Sequence, residues 1–305
     1  MRGAGDRGGR AGGGDGDAGG DRASSGRGSG GRGGGGAGIG AGVPGVDGGG
    51  RPARGGVVVR AFRALLRREL LAIWTSPVAW VVLGTFLLLS GIYFYEILWV
   101  LSRPAAPYGT PMATFFGGSL LSFVPLVLFT AAITMRSFAE EHHAGTLEPL
   151  LTAPVTANQV VLAKYAGAYL FYLALWVPTA VYPLLLWRHA DPAVGPILAG
   201  YLGMALFGGA LTALGLFASA LARRQIVGAI LAFGFGGGWL LAGLGGSLLP
   251  AGSTAGRVLR HVSPFEMMDR FRVGLVDSRD VVLCVSVAAV ALLWTRVVLD
   301  LRRSA

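Results

Sequence analysis

Six stretches of this chain, about 78–100, 115–135, 165–187, 197–221, 226–249 and 280–299, are apolar, and the first five are nearly free of charge. A helix needs about 20 such residues to cross a hydrocarbon core of about 30 Å. A segment in lipid must also satisfy its own backbone hydrogen bonds, so these runs read as helices. Composition agrees: 53% of the 305 residues are apolar and 14% are charged, against about 25% charged in an ordinary soluble domain. That excludes a soluble globular enzyme and a disordered protein as readings of the whole chain. The expected fold class is an all-α membrane protein with six transmembrane helices.

The exceptions inside the runs are few. Glu96 falls in the last turn of the first and Arg296 near the end of the sixth, where both can reach an interface. Prolines 125, 178 and 183 lie within runs, where neighbouring helices can satisfy the freed backbone groups. The fifth run holds eight glycines, with Gly234 and Gly238 at i,i+4. Small residues at that spacing let backbones approach closely, and packing within one subunit is favoured over a dimer seam.

Residues 57–76 read as an amphipathic helix lying in the membrane interface. Phe62, Leu65, Leu66, Leu70 and Ile73 recur at helical spacing, while Arg60, Arg63, Arg67 and Arg68 make a basic face. Residues 1–56 contain 27 of the 51 glycines and 8 arginines, with almost no large apolar side chain. Such a segment is expected to be disordered, since it cannot offset its ordering entropy. Its Arg-Gly-Gly triplets at 7–9 and 32–34 fit a nucleic-acid or headgroup arm. The favoured reading is a non-functional extension or a misassigned start, and no nucleic-acid partner is expected. The lipid bilayer is the expected environment of 57–305.

Counted from residue 51, 12 basic residues fall on the side that holds 57–76 and 7 on the other. The positive-inside rule then puts both termini in the cytoplasm. An even number of spans agrees. The expected location is a bacterial cytoplasmic (inner) membrane, multi-pass.

The residues offer little chemistry. Lys164 is the single lysine, in Val-Leu-Ala-Lys-Tyr, which is not a P-loop. Any ATPase that drives this chain must be another polypeptide. Cys284 is the single cysteine, so no intrachain disulfide can form. Glu140, Glu141, His142 and His143 are adjacent, and adjacent helical residues point about 100° apart, so they do not converge on a metal. The four histidines all lie at run ends or in loops, which disfavours haem ligation. No catalytic, cofactor-binding or metal residues are expected, and the chain is not expected to be an enzyme. The alternative function is an ion-coupled secondary transporter. That would need an ionisable group near the bilayer midplane, and Glu96 is the nearest candidate.

The segment 136–160, expected as a cytoplasmic loop between the second and third spans, is the most polar stretch after the tail. Gly145 is a plausible helix stop. Thr146 to Leu151 can form a short helix, with Thr146 as N-cap and Glu148 in its first turn. Pro154 ends it. The run Glu140-Glu141-His142-His143-Ala144-Gly145-Thr146-Leu147-Glu148-Pro149-Leu150-Leu151-Thr152-Ala153-Pro154-Val155-Thr156, with Lys164 eight residues on, strongly resembles the cytoplasmic loop of type 2 ATP-binding-cassette (ABC) transporter permeases. The expected extracytoplasmic loop 250–279 adds His261-Val262-Ser263-Pro264-Phe265-Glu266 and Phe271 to Asp280. Together these are similar to the gliding-motility-associated permease subgroup. The resemblance covers about 57–305, and departs from the pattern at His142-His143.

The resemblance implies a type 2 exporter permease: six spans preceded by an amphipathic helix, present as two copies or as two related permeases. A separate ABC ATP-binding subunit binds the ATP and docks on the loop after the second span. By position, the coupling interface is Glu140, Glu141, Gly145, Thr146, Leu147, Glu148, Leu150, Leu151 and Pro154. In the family its movement shifts spans 1, 2 and 5. No binding constellation in the spans singles out a substrate.

Overall fold

The computed structural model describes residues 54–103, 110–117, 119–139, 156–189, 192–250 and 253–304. Those residues form helices and no strand. The expected tail, up to residue 53, lies outside them. The first helix, α1 (Arg54–Trp74), leads into α2 (Pro77–Leu101) through a sharp turn at Thr75 and Ser76. Proline is suited to a helix start because it has no N–H to leave unpaired, and it keeps the preceding Ser76 extended.

The apolar run at 115–135 is divided. A short helix, α3 (Pro111–Phe116), comes first, and the chain breaks at Gly117 before α4 (Leu120–Thr134). Hydroxyl caps set both starts: Thr110 Oγ1 accepts from the Ala113 N–H at 3.3 Å, and Ser119 Oγ from the Ser122 N–H at 3.3 Å. The 15 residues of α4 rise about 22 Å, less than a full hydrocarbon core. After residue 156 come α5 (Ala157–Trp176), a 3₁₀ turn (Pro178–Ala180) and α6 (Val181–Trp187), one apolar unit of 31 residues. Then follow α7 (Val194–Leu221) and α8 (Gln225–Leu248). The 250–279 segment holds two helices, α9 (Thr254–Val262) and α10 (Pro264–Phe271). The last helix is α11 (Ser278–Ser304). Five units are thus long and apolar enough to cross a membrane, with α4 as a sixth, shorter apolar helix.

Helix α7 is the centre of the bundle. Of its most apolar 18-residue stretch, 72% is buried, against 17–33% in the other long units. Apolar side chains gain nothing by leaving lipid for protein, so tight packing and hydrogen bonds must hold such helices together. Glycines on α7 provide the close approach. At Gly208 a Cβ would overlap the ring of Tyr172. At Gly203 it would come within 2.8 Å of Phe271 and 2.9 Å of Met268, both on α10. Three α5 tyrosines then donate to α7 carbonyls: Tyr165 to Gly209 at 3.3 Å, Tyr169 to Ala205 at 3.1 Å and Tyr172 to Met204 at 2.9 Å. Buried threonines return their hydroxyls to their own helix, as Thr134 does to Thr130 O at 2.7 Å and Thr212 to Gly208 O at 2.7 Å.

Two ends can be recognised. At one, α1 packs along α5 and meets the start of α2, with Leu65 against a cluster formed by Phe138, Val160, Val161, Leu216, Ala220 and Leu299. At the other, α10 packs under α7 with Met267, Met268 and Phe271 fully buried. Trp239 of α8 donates to Val262 O at 2.8 Å there. A two-pronged ion pair joins Arg270 of α10 to Asp280 of α11, at 2.6 and 2.8 Å. Asp280 is fully buried, and its hydrogen bonds push the Arg270 pKa up.

Two substitutions separate packing from hydrogen bonding at the α5–α7 seam. Gly208→Val should destabilise the detergent-purified chain by about 3 kcal/mol, because the ring has nowhere to go. Tyr172→Phe keeps the ring and should cost about 1 kcal/mol. Thermal melts of the two variants should therefore rank Gly208→Val well below Tyr172→Phe.

Candidate functional site

The nine residues expected at the coupling interface, Glu140, Glu141, Gly145, Thr146, Leu147, Glu148, Leu150, Leu151 and Pro154, lie outside the described residues. So do His142 and His143. What is described is the frame on either side, where the chain leaves at Ala139 and returns at Thr156.

The departing chain is clamped to α7. Ser219 Oγ accepts the backbone N–H of Phe138 at 3.0 Å and that of Ala139 at 3.2 Å, and donates to Met135 O at 3.2 Å. One buried hydroxyl thus satisfies two amides and a carbonyl just past the end of α4, where helical partners run out. Phe138 itself sits in an apolar cluster with Val160 and Val161 of α5, Leu216 and Ala220 of α7, and Leu299 of α11.

The returning chain is fixed by a capping box. Thr156 Oγ1 accepts from the Gln159 N–H at 3.4 Å, and Gln159 Oε1 accepts from the Thr156 N–H at 3.0 Å. Eight residues on, Lys164 is buried to 4% exposure and pairs with Glu69 of α1 at 3.1 Å. Its ammonium also lies 5.3 Å from the centre of the Phe138 ring. This one side chain of α5 therefore pairs with α1 and faces the ring of Phe138 on the departing chain. On the outer face of α1, Arg60, Arg63, Arg67 and Arg68 are exposed, while Leu65, Glu69 and Ile73 are half-buried towards the bundle.

Beside this pair, α1, α2, α4, α5 and the residues just after α4 line a half-open cavity of about 320 Å³. Arg136 crosses its wall and donates to Ser76 Oγ at 2.8 Å. The described residues contain no group of three or more His, Cys, Asp or Glu placed to hold a metal. Their buried Asp, Glu, Lys and Arg side chains are Lys164 and Asp280, each ion-paired and each near one end. Glu96 is exposed.

Glu69 is absent from the residues picked out of the sequence, and Ser219 reads there only as a helix-packing serine. Glu69 carried a signal, as the only acidic residue in 57–76, and a lone lysine at the head of an apolar run needs a partner. Ser219 carried none, because an apolar-run serine does not show which amides it will cap. Gln159 was not picked out either, although a Gln three residues after a Thr is a capping-box signal.

The architecture defines a multi-pass helical membrane protein, with a polar frame at one end that presents the loop between α4 and α5. Residues 102–268, more than half of the chain, match the family described as ABC-2 family transporter protein. The chain belongs to that family. The match does not extend to the gliding-motility-associated subgroup. Among curated proteins it is similar to "Probable multidrug ABC transporter permease YbhR" of Escherichia coli K12 and to its counterpart in E. coli O157:H7. Each is 31% identical over 93 residues, which are 30% of this chain and 25% of the relative. The chain thus spans about a quarter of the length of the curated relatives it matches.

A double-mutant cycle reads the strength of the buried pair. Glu69→Gln and Lys164→Met should each lower the melting temperature. The double variant should lose less than the sum, with a coupling of about 2 kcal/mol. Additive losses would mean the contact contributes nothing of its own.

Proposed function

We propose that this chain is the membrane-spanning permease subunit of an ABC exporter, without an ATPase site of its own. A separate ATP-binding subunit docks on the loop 136–160 through Glu140, Glu141, Gly145, Thr146, Leu147, Glu148, Leu150, Leu151 and Pro154. ATP is held by that subunit. The transporter contains a second copy of this chain or a related permease. It sits in a bacterial cytoplasmic membrane with both termini in the cytoplasm, and 1–56 is a dispensable extension of the 57–305 membrane domain. The names of the E. coli relatives make small drugs one substrate class for it.

The observation that carries this reading is the frame around the loop. A docking loop transmits force only if both of its ends are fixed to the helices it is to move. Here one end is capped by Ser219 of α7, and the other runs into a helix tied to α1 through Lys164 and Glu69. A soluble subunit that pushes the loop acts on both helices at once. The arrangement of charge supports the same reading over ion-coupled transport. The buried Asp, Glu, Lys and Arg among the described residues are paired at the two ends, which leaves no proton-carrying group at mid-depth there.

Affinity purification of the full chain in mild detergent should recover an ATP-binding subunit in near-equal amount. Glu148→Arg and Gly145→Trp should each keep the chain monodisperse while abolishing that recovery or the coupled ATPase activity. Full substrate-stimulated ATPase in both variants would remove the loop as the coupling element. Transport by the chain alone in liposomes, driven by a proton or sodium gradient, would favour the secondary carrier.

A further inference from the structure

The apolar unit from Ala157 to Trp187 is broken towards the end away from the coupling loop. Pro178 has no N–H to offer the carbonyl of Ala174, and the chain tightens there into the 3₁₀ turn Pro178–Ala180. Pro183 removes a second helical donor within the next turn. A 3₁₀ stretch inside a long helix often marks a hinge. The turn itself is pinned. Thr179 is fully buried, and its hydroxyl donates to Trp176 O at 2.7 Å and lies 3.1 Å from the Tyr201 hydroxyl of α7. Beyond the pin, α6 is lightly held. It packs on the 3₁₀ turn and only sparsely on other helices, while Val181, Leu184, Leu185 and Trp187 face outward. Pro183 and Leu186 turn inward, but the main grip is Tyr182. Its ring stacks on Phe94 of α2 with centres 4.5 Å apart and stands edge-on to Phe115 of α3 at 5.5 Å. Its hydroxyl lies 3.1 Å from Ser90 Oγ of α2.

We propose that α6 is a hinged strap, which pivots at Pro178–Ala180 and is latched shut by Tyr182 on α2 and α3. Ser90 and Phe115, which grip Tyr182, are also walls of a half-open groove between α2 and α4, with Phe86, Phe129 and Trp176 beside them. Withdrawal of Tyr182 joins the space its ring fills to that groove. Ser90 lies about midway along α2, so the opened path runs from mid-depth to the lipid. The groove lining carries no charged side chain, and it suits an uncharged, membrane-dissolved molecule. Two features keep the shut and open arrangements close in energy. Trp176 Nε1, one residue before Val177 and the turn, is buried without a hydrogen-bond partner, which is unfavourable in apolar surroundings. Opening the groove beside it lets a partner reach it. The apolar face that α6 uncovers meets lipid and not water, so the hydrophobic effect does not resist the swing. What resists it is the packing of a few side chains and the Tyr182 latch. The strap belongs to this chain alone; its use as a side opening for substrate rests on the exporter reading.

The test uses the full chain in phosphatidylcholine nanodiscs, with spin labels on Leu184→Cys of α6 and Leu198→Cys of α7, both exposed positions. Cys284→Ser removes the native thiol. Double electron–electron resonance reads the distance between the labels. With Tyr182 intact the distribution should have one main peak. Tyr182→Ala should add a second peak shifted by about 5 Å, half the length of the seven-residue α6. Tyr182→Phe keeps the stacked ring, loses the hydroxyl contact and should shift a smaller fraction. Adding Pro178→Ala to Tyr182→Ala restores a helical donor at the pivot and should shrink the second peak. If Tyr182→Ala does not give a monodisperse chain, Tyr182→Phe, which removes one oxygen, carries the comparison. An unchanged distribution in the Tyr182 variants would overturn the latch. A second peak that persists undiminished with Pro178→Ala would put the motion outside the 3₁₀ turn and overturn the hinge. No ATPase enters the measurement, so a hinged α6 in a chain that recovers no ATP-binding subunit supports the strap and counts against the exporter reading alone.

Discussion

Helices in a bilayer get no hydrophobic reward for touching each other, and this constraint shapes the whole bundle. What remains is close contact and hydrogen bonding inside an apolar solvent. Helix α7 supplies both. Its glycines admit a ring from α5 and two side chains from α10 at distances no Cβ would allow, and its carbonyls take three tyrosine hydroxyls from α5. A helix carbonyl that already accepts from residue i+4 has a second lone pair, so these bonds leave the ladder intact. The bundle is therefore organised around one buried helix with small residues, and the other long helices turn most of their apolar surface outward.

Charge is used sparingly and in one way. The two buried ionised side chains among the described residues, Lys164 and Asp280, each tie an element outside the long spans to one of the spans. Lys164 of α5 holds the basic helix α1, and Asp280 of α11 holds the short helix α10. A buried ion pair is a poor source of stability, since desolvation offsets most of the attraction, but a broken one is strongly unfavourable. The pairs accordingly act as locks on geometry. They add a fixed direction to α1, which packs through Leu65 and Ile73, and to α10, which packs through Met267, Met268 and Phe271.

The long spans were legible because a run of about 20 uncharged apolar residues has one solution in lipid. The basic face of α1 was legible for the same kind of reason, since Arg60, Arg63, Arg67 and Arg68 recur at helical spacing. The division of the second run was not. Gly117, Gly118 and Ser119 interrupt the apolar pattern only slightly, and the break depends on Ser119 capping a new helix. The helices α9 and α10 were hidden in a stretch read as a loop, although Ser253 and the Ser263-Pro264 pair are ordinary start signals. They are too short to show a convincing period. The partner of Lys164 lies 95 residues away, and nothing local in a sequence encodes such a meeting. The interface residues from Glu140 to Pro154 were picked by resemblance, and they lie outside the described residues.

The same seam that holds the fold bears on how the proposed coupling would work. Three hydroxyl-to-carbonyl bonds and a ring lodged at Gly208 prevent α5 from sliding along α7 without losing several contacts together. Close-packed interfaces of this kind hold or jump; they do not deform smoothly. Displacement applied at Thr156 and at Ala139 would therefore reach α5 and α7 as one body. Helix α2 is less enclosed, with 22% of its apolar stretch buried, and it touches α5 and α7 only sparsely, whereas α8 and α11 pack along α7. Relative motion is cheapest between a rigid centre and such a loosely held neighbour. On that physical ground α2 is the span freest to rearrange around α5 and α7, and it adjoins α1, which Glu69 ties to the same centre.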